Sequence, residues 1–147
     1  MTLDSIPVQT GFRGGHIYQV YNEAAFLHFL AVERLRAERS HRFLFLVLVT
    51  IQRSPGRNAK LTNDTSAALF RGLGASIREV DFVGWYQEGQ VPAAVLVQGV
   101  KPSDGVASPS IAGRVRDELK KVLTAAELKN LRVRVVRLGG ITKMRFP

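Results

Sequence analysis

Arg78 and Asp81 set a guanidinium and a carboxylate three residues apart, shortly before an apolar run that leads into a tight turn. A guanidinium presents a rigid fork of donors that fits phosphate, and a nearby carboxylate accepts from ring N–H groups. The competing reading is a helix-end pair in which Arg78 answers Asp81 across a corner of the chain. Downstream, Phe82 to Tyr86 is β-branched and aromatic, Gly89-Gln90 suits a tight turn with glycine first, and Val91 to Val97 is a second apolar run. That pattern predicts a hairpin. Glu88 is the only carboxylate at its tip. A hard metal ion takes several oxygen ligands, so Glu88 is read as a solvent-facing turn residue.

Other chemistry finds no support in the spacing. His16, His28 and His41 show no metal-ligand pattern, and His28 falls within an apolar helix as a core or boundary residue. There is no cysteine, hence no thiolate chemistry and no disulfide. No nucleophile–base arrangement, Gly-x-Ser-x-Gly, Walker or Rossmann glycine pattern occurs. No catalytic residue, metal ligand or cofactor is therefore assigned.

The elements that must position Arg78 and Asp81 follow from periodicity. Residues 1–15 hold Pro7, Gly11, Gly14 and Gly15 with little periodicity and read as a lead-in segment to a single domain over 16–147. Asn22 caps a helix to about Ser40. Phe26, Phe29 and Leu30 lie on one side and Leu27, Ala31 and Leu35 on another, so this helix is expected to be well buried. Phe43 to Ile51 is a nearly continuous apolar strand, of the kind covered on both faces. A loop over 52–61 precedes a second helix from about Thr62 to Arg78, where Gly72 and Gly74 imply close packing or a bend. After the hairpin, Ser108-Pro109 starts a third helix carrying Ile111, Val115, Leu119 and Leu123 as a stripe. Thr124-Ala125-Ala126-Glu127 has capping-box spacing, and Leu131 to Leu138 is the last strand. This order implies an α/β (α+β) fold with an antiparallel-containing sheet and helices mainly on one face.

At 147 residues the chain has room for one real core. No apolar run approaches the roughly 20 residues of a membrane span, and no signal peptide is evident at the N-terminus. A cytoplasmic setting is expected. The net charge of +9 favours phosphate-bearing partners. Arg34, Arg36, Arg39 and Arg42 read as a solvated helix face with Glu33 and Glu38. Arg132, Arg134, Arg137, Lys143 and Arg145 raise a nucleic-acid reading, but aromatic residues interleaved with basic ones are absent and that reading is placed last.

The stretch Arg78 to Val91 resembles the GGDEF domains, the diguanylate cyclases of bacteria. In that family Arg-x-x-Asp, the product-inhibition site, stands five residues before a hairpin tip of sequence Gly-Gly-Asp-Glu-Phe. A second likeness is Tyr21-Asn22 and Ala25-Phe26 before the helix, matching the family's opening segment, and the order of elements agrees to about Gly139. The resemblance implies a ferredoxin-like nucleotidyl-cyclase palm, with a mixed sheet of about four to five strands. It also marks departures. Where the family has apolar–Asp–apolar–Asp at the end of its first strand, this chain reads Val49-Thr50-Ile51-Gln52. Where it has Gly-Gly-Asp-Glu, the tip reads Gln87-Glu88-Gly89-Gln90. The implied activity is therefore binding rather than catalysis, with cyclic di-GMP held by Arg78 and Asp81. A protein-interaction or dimerisation module without nucleotide is the alternative, and homodimers are compatible with either. The family's guanine-recognising asparagine matches Asn58 by counting and Asn63 by local context.

Overall fold

The computed structural model of the chain describes residues 7–13, 16–76, 82–97 and 108–139. Strands β1 (Pro7–Arg13) and β2 (His16–Tyr21) lead into helix α1 (Glu23–Arg39) and the long strand β3 (Phe43–Ser54). The two-residue β4 (Arg57–Asn58), α2 (Asn63–Ser76), β5 (Phe82–Gln87) and β6 (Val91–Val97) come next. Helices α3 (Ser108–Leu119) and α4 (Ala125–Lys129) and strand β7 (Leu131–Gly139) complete the described chain.

The strands run β1-β2-β5-β6-β3-β4, with β7 also paired to β3. Only β2–β5 is parallel, so the sheet is mixed as expected. It has seven described strands rather than four to five, the additional ones being β1, β2 and β4. Residues 1–15 are thus not wholly a lead-in, because Pro7–Arg13 pairs along β2. Ladder hydrogen bonds to a neighbour recruit a segment that has little hydrophobic periodicity of its own.

β3 explains the layering. Phe43, Phe45, Val47, Val49 and Ile51 point into a core shared with Leu69, Phe70 and Leu73 of α2 and Ile111, Val115 and Leu119 of α3. Leu44 and Leu46 point the other way, against Phe26, Leu30 and Ala37 of α1. Helices therefore cover both faces, not mainly one, and a strand buried on both sides carries an unbroken apolar run. Trp85 packs edge-on against Phe70, with ring centroids 5.1 Å apart.

Helix ends are set by local chemistry. The Asn22 side chain accepts from the Ala25 N–H at 2.8 Å and caps α1. At the other end His41 adopts φ +59, and the Arg42 N–H donates to the Ala37 carbonyl at 2.8 Å. That closure normally takes glycine, so His41 serves as a helix terminator. Gly72 of α2 lies against the Leu119 side chain of α3, which identifies its role as close packing. α1 is less buried than expected: Leu27 and Leu35 are exposed. Its sheet contact is satisfied by Ala25, Phe26, Leu30 and Ala37, and nothing among the described elements covers the second apolar side.

Candidate functional site

The end of β3, the start of β7, the β5–β6 turn and the N-terminus of α1 meet at one end of the sheet. Leu48 of β3 stands opposite Ala93 of β6, and Thr50 opposite Arg132 of β7. The turn spans Gln87 to Gln90, with the Gln90 N–H donating to the Gln87 carbonyl at 3.0 Å. Gly89 has φ +77 and is the second central residue, not the first as expected. Glycine meets a positive φ at that position without steric cost. The Leu61 N–H donates to the Gly89 carbonyl at 2.8 Å, so the chain entering α2 steadies the tip.

Glu88 is more than a solvent-facing turn residue. Its carboxylate, though exposed, accepts from the Glu23 N–H at 3.0 Å, while its own N–H donates to Glu23 Oε1 at 2.6 Å. Glu23 is the first residue of α1, where unpaired N–H groups and the positive end of the helix dipole favour a carboxylate. The hairpin tip is thereby docked on a helix that begins 65 residues earlier in the sequence.

Residues opposite one another in an antiparallel pair project to the same face. Thr50, half-buried, therefore shares a face with exposed Arg132, and Leu48 with exposed Arg134. Neither arginine makes an ion pair among the described residues, so this face of β7 presents two unpaired positive charges. Arg137 is differently engaged, its guanidinium lying 4.3 Å from the centroid of the Phe43 ring. Thr50 and Gln52, at the places where the family resemblance calls for aspartates, are both half-buried and uncharged. Among the described residues no group of three or more His, Asp or Glu gathers to hold a metal ion.

Glu127 sits in a separate polar knot. It completes the capping box of α4 by accepting from the Thr124 N–H at 2.8 Å, and it accepts from the Thr65 hydroxyl of α2 at 2.8 Å. Its pKa is held below the ordinary value of 4.5, chiefly by the Thr124 N–H and then by the Thr65 hydroxyl, with burial opposing. This carboxylate ties α4 to α2.

The two asparagines part company. Asn58 is half-buried in β4, opposite Gln52, whereas Asn63 opens α2 in an exposed position. Arg78 and Asp81 lie outside the described residues. Sequence reasoning missed the Glu23–Glu88 exchange, which no local signal announces. The alternation Arg132-Val133-Arg134 was the available sign of the basic strand face.

No protein-family model matches the chain, and no curated protein matches it. Solved structures do. A DGC protein from Thermotoga maritima aligns with a TM-score of 0.57 at 16% identity, covering 81% of this chain and 80% of that one. The FimX GGDEF domain from Pseudomonas aeruginosa aligns with a TM-score of 0.53 at 17% identity, covering 85% and 79%. The chain has the fold of the GGDEF domains.

Proposed function

We propose that this chain is a non-catalytic signalling domain that works by binding, with cyclic di-GMP as its ligand through Arg78 and Asp81. The observation that carries the loss of catalysis is the fate of the carboxylates at the tip end of the sheet. Glu23 and Glu88 are each spent on the other's backbone N–H, and Thr50 and Gln52 supply no charge. Metal-assisted attack on a nucleotide phosphate needs carboxylate oxygens to hold the ions. Binding needs only donors and acceptors of the right geometry, and exposed Arg132 and Arg134 add potential that concentrates phosphate-bearing ligands nearby. Among the described residues no helix is long and apolar enough to cross a membrane, and a cytoplasmic site of action accords with a nucleotide ligand.

Two measurements test this reading. Incubation with GTP and magnesium or manganese should yield no cyclic dinucleotide, and steady product above a boiled control sinks it. Titration calorimetry with cyclic di-GMP should give saturable heat. Silence at concentrations well above micromolar leaves the alternative, a protein-interaction or dimerisation module, which the exposed Leu27 and Leu35 of α1 favour.

A further inference from the structure

Helix α1 offers two apolar sides and buries one. Phe26, Leu30 and Ala37 face the sheet, while Leu27, Ala31 and Leu35 recur at i, i+4 and i+8 on a side about 120° further round the helix. Leu27 is 38% exposed and Leu35 55% exposed, two of the three large hydrophobics that stand open among the described residues. Ala24 and Ala31 on the same side are exposed as well. Scattered exposed leucines need no explanation, but a continuous stripe along a helix marks a contact surface.

We propose that this stripe pairs with the same stripe of a second copy, two α1 helices packing antiparallel about a twofold axis at Ala31. A twofold contact must be self-complementary. Turned about Ala31, the stripe is: Leu27 meets Leu35 of the partner subunit, and Ala31 meets its own counterpart. The small side chain of Ala31 on the axis lets the helix axes approach toward the lower end of the usual separation of about 8–10 Å.

Charge selects the direction. The first turn of α1 carries Glu23, with the Glu88 carboxylate docked on it, and the last turn carries Arg36 and Arg39 against a single acid, Glu38. Arg36 already pairs with Glu33 at 3.1 Å, whereas Arg39 makes no ion pair among the described residues. Glu23 and Arg39 lie equally far from Ala31 in sequence, so antiparallel pairing sets the acidic end of each helix beside the basic end of the other. Parallel pairing would set like charges together. It would also align the helix dipoles unfavourably.

Size sets the strength. α1 has 17 residues. At 1.5 Å per residue it is about 25 Å long. One such face is smaller than the roughly 800 Å² per partner of a standard interface, so the dimer is weak and concentration-dependent.

The absence of cysteine makes a direct test available. Ala31→Cys places a single thiol on the proposed axis, where the two Cα atoms fall within disulfide range of about 4.4–6.8 Å. Under mild oxidation of concentrated protein, A31C should form a disulfide-linked dimer at least tenfold faster than Asp117→Cys, a control on the exposed surface of α3. Adding Leu35→Glu to A31C should remove that advantage, with circular dichroism unchanged because Leu35 is exposed. In an equimolar mixture, Leu27→Cys and Leu35→Cys proteins should cross-link to each other in preference to themselves. Sedimentation velocity of the wild type should show a concentration-dependent shift that Leu35→Glu abolishes. A wild type that stays monomeric up to millimolar concentration overturns the proposal, as does a dimer indifferent to Leu35→Glu. Equal cross-linking of A31C and the control overturns it too, and self-linked Leu27→Cys as the main product rejects the antiparallel direction. None of these readouts depends on nucleotide binding.

Discussion

Glu23 and Glu88 exchange hydrogen bonds in both directions, the Glu23 N–H to Glu88 Oε1 at 3.0 Å and the Glu88 N–H to Glu23 Oε1 at 2.6 Å. Each side chain satisfies the other residue's backbone, so the hairpin tip completes the capping of α1 begun by Asn22. Glu88→Ala removes one acceptor from the first turn and should cost about 1 kcal/mol of stability. Glu88→Gln keeps an acceptor without the charge and should cost less. Urea denaturation of the three proteins checks the order, and equal midpoints would show that the exchange contributes nothing.

Glu127 predicts a pH dependence of defined sign. Its folded-state pKa lies below the ordinary value of 4.5, so its contribution is fully present above that value. The contribution is lost as pH falls through the depressed folded-state value, because the native state then binds the proton that the unfolded state took up earlier. Thermal melts between pH 7 and pH 3 should show a decline in the wild type that is shallower in Glu127→Gln. Thr65→Ala, which removes one of the donors holding the charged form, should shift the wild-type decline toward higher pH. Identical acid profiles in all three proteins would contradict this.

Gly84 is a steric prediction. A Cβ there would stand 2.7 Å from the Tyr21 carbonyl oxygen and 2.8 Å from Phe26 Cδ1. The first obstacle is backbone of the parallel β2–β5 pair and cannot swing aside. Gly84→Ala should destabilise by about 1–3 kcal/mol through overpacking. Gly113→Ala is the control, since a Cβ there meets nothing within 4 Å on an exposed face of α3. It should stabilise by roughly 0.5–1 kcal/mol through helix propensity. Opposite shifts in melting temperature are the expected result.

Arg78 is the prediction that bears on function. If Arg78 holds a phosphate or guanine edge of cyclic di-GMP, Arg78→Ala removes a charge-assisted contact and should weaken binding by about 1.5–3 kcal/mol, roughly ten- to a hundred-fold. Asp81→Ala should weaken the same titration without altering the circular dichroism spectrum. Wild-type affinity retained in both variants would move the ligand away from this pair.

The amino-acid sequence by itself determined whatever is written in periods and caps. The Asn22 cap, the apolar run of β3, the Ile111–Val115–Leu119 stripe and the Thr124–Glu127 capping box were legible because neighbours three or four residues apart decide them. The fold class was legible from their order. Tertiary structure alone decided three further things. Pro7–Arg13 became a strand because β2 offers an edge to pair with, a property of the partner and not of the segment. Leu27 and Leu35 stayed open although the helix is apolar on two sides, because periodicity shows which faces are apolar and not how many neighbours arrive to cover them. Glu88 became part of the α1 terminus because the β5–β6 turn and that helix, 65 residues apart, are brought together when β2, the strand that leads into α1, pairs with β5. Contacts between residues distant in sequence depend on how whole elements are placed, and no short stretch of residues encodes that placement.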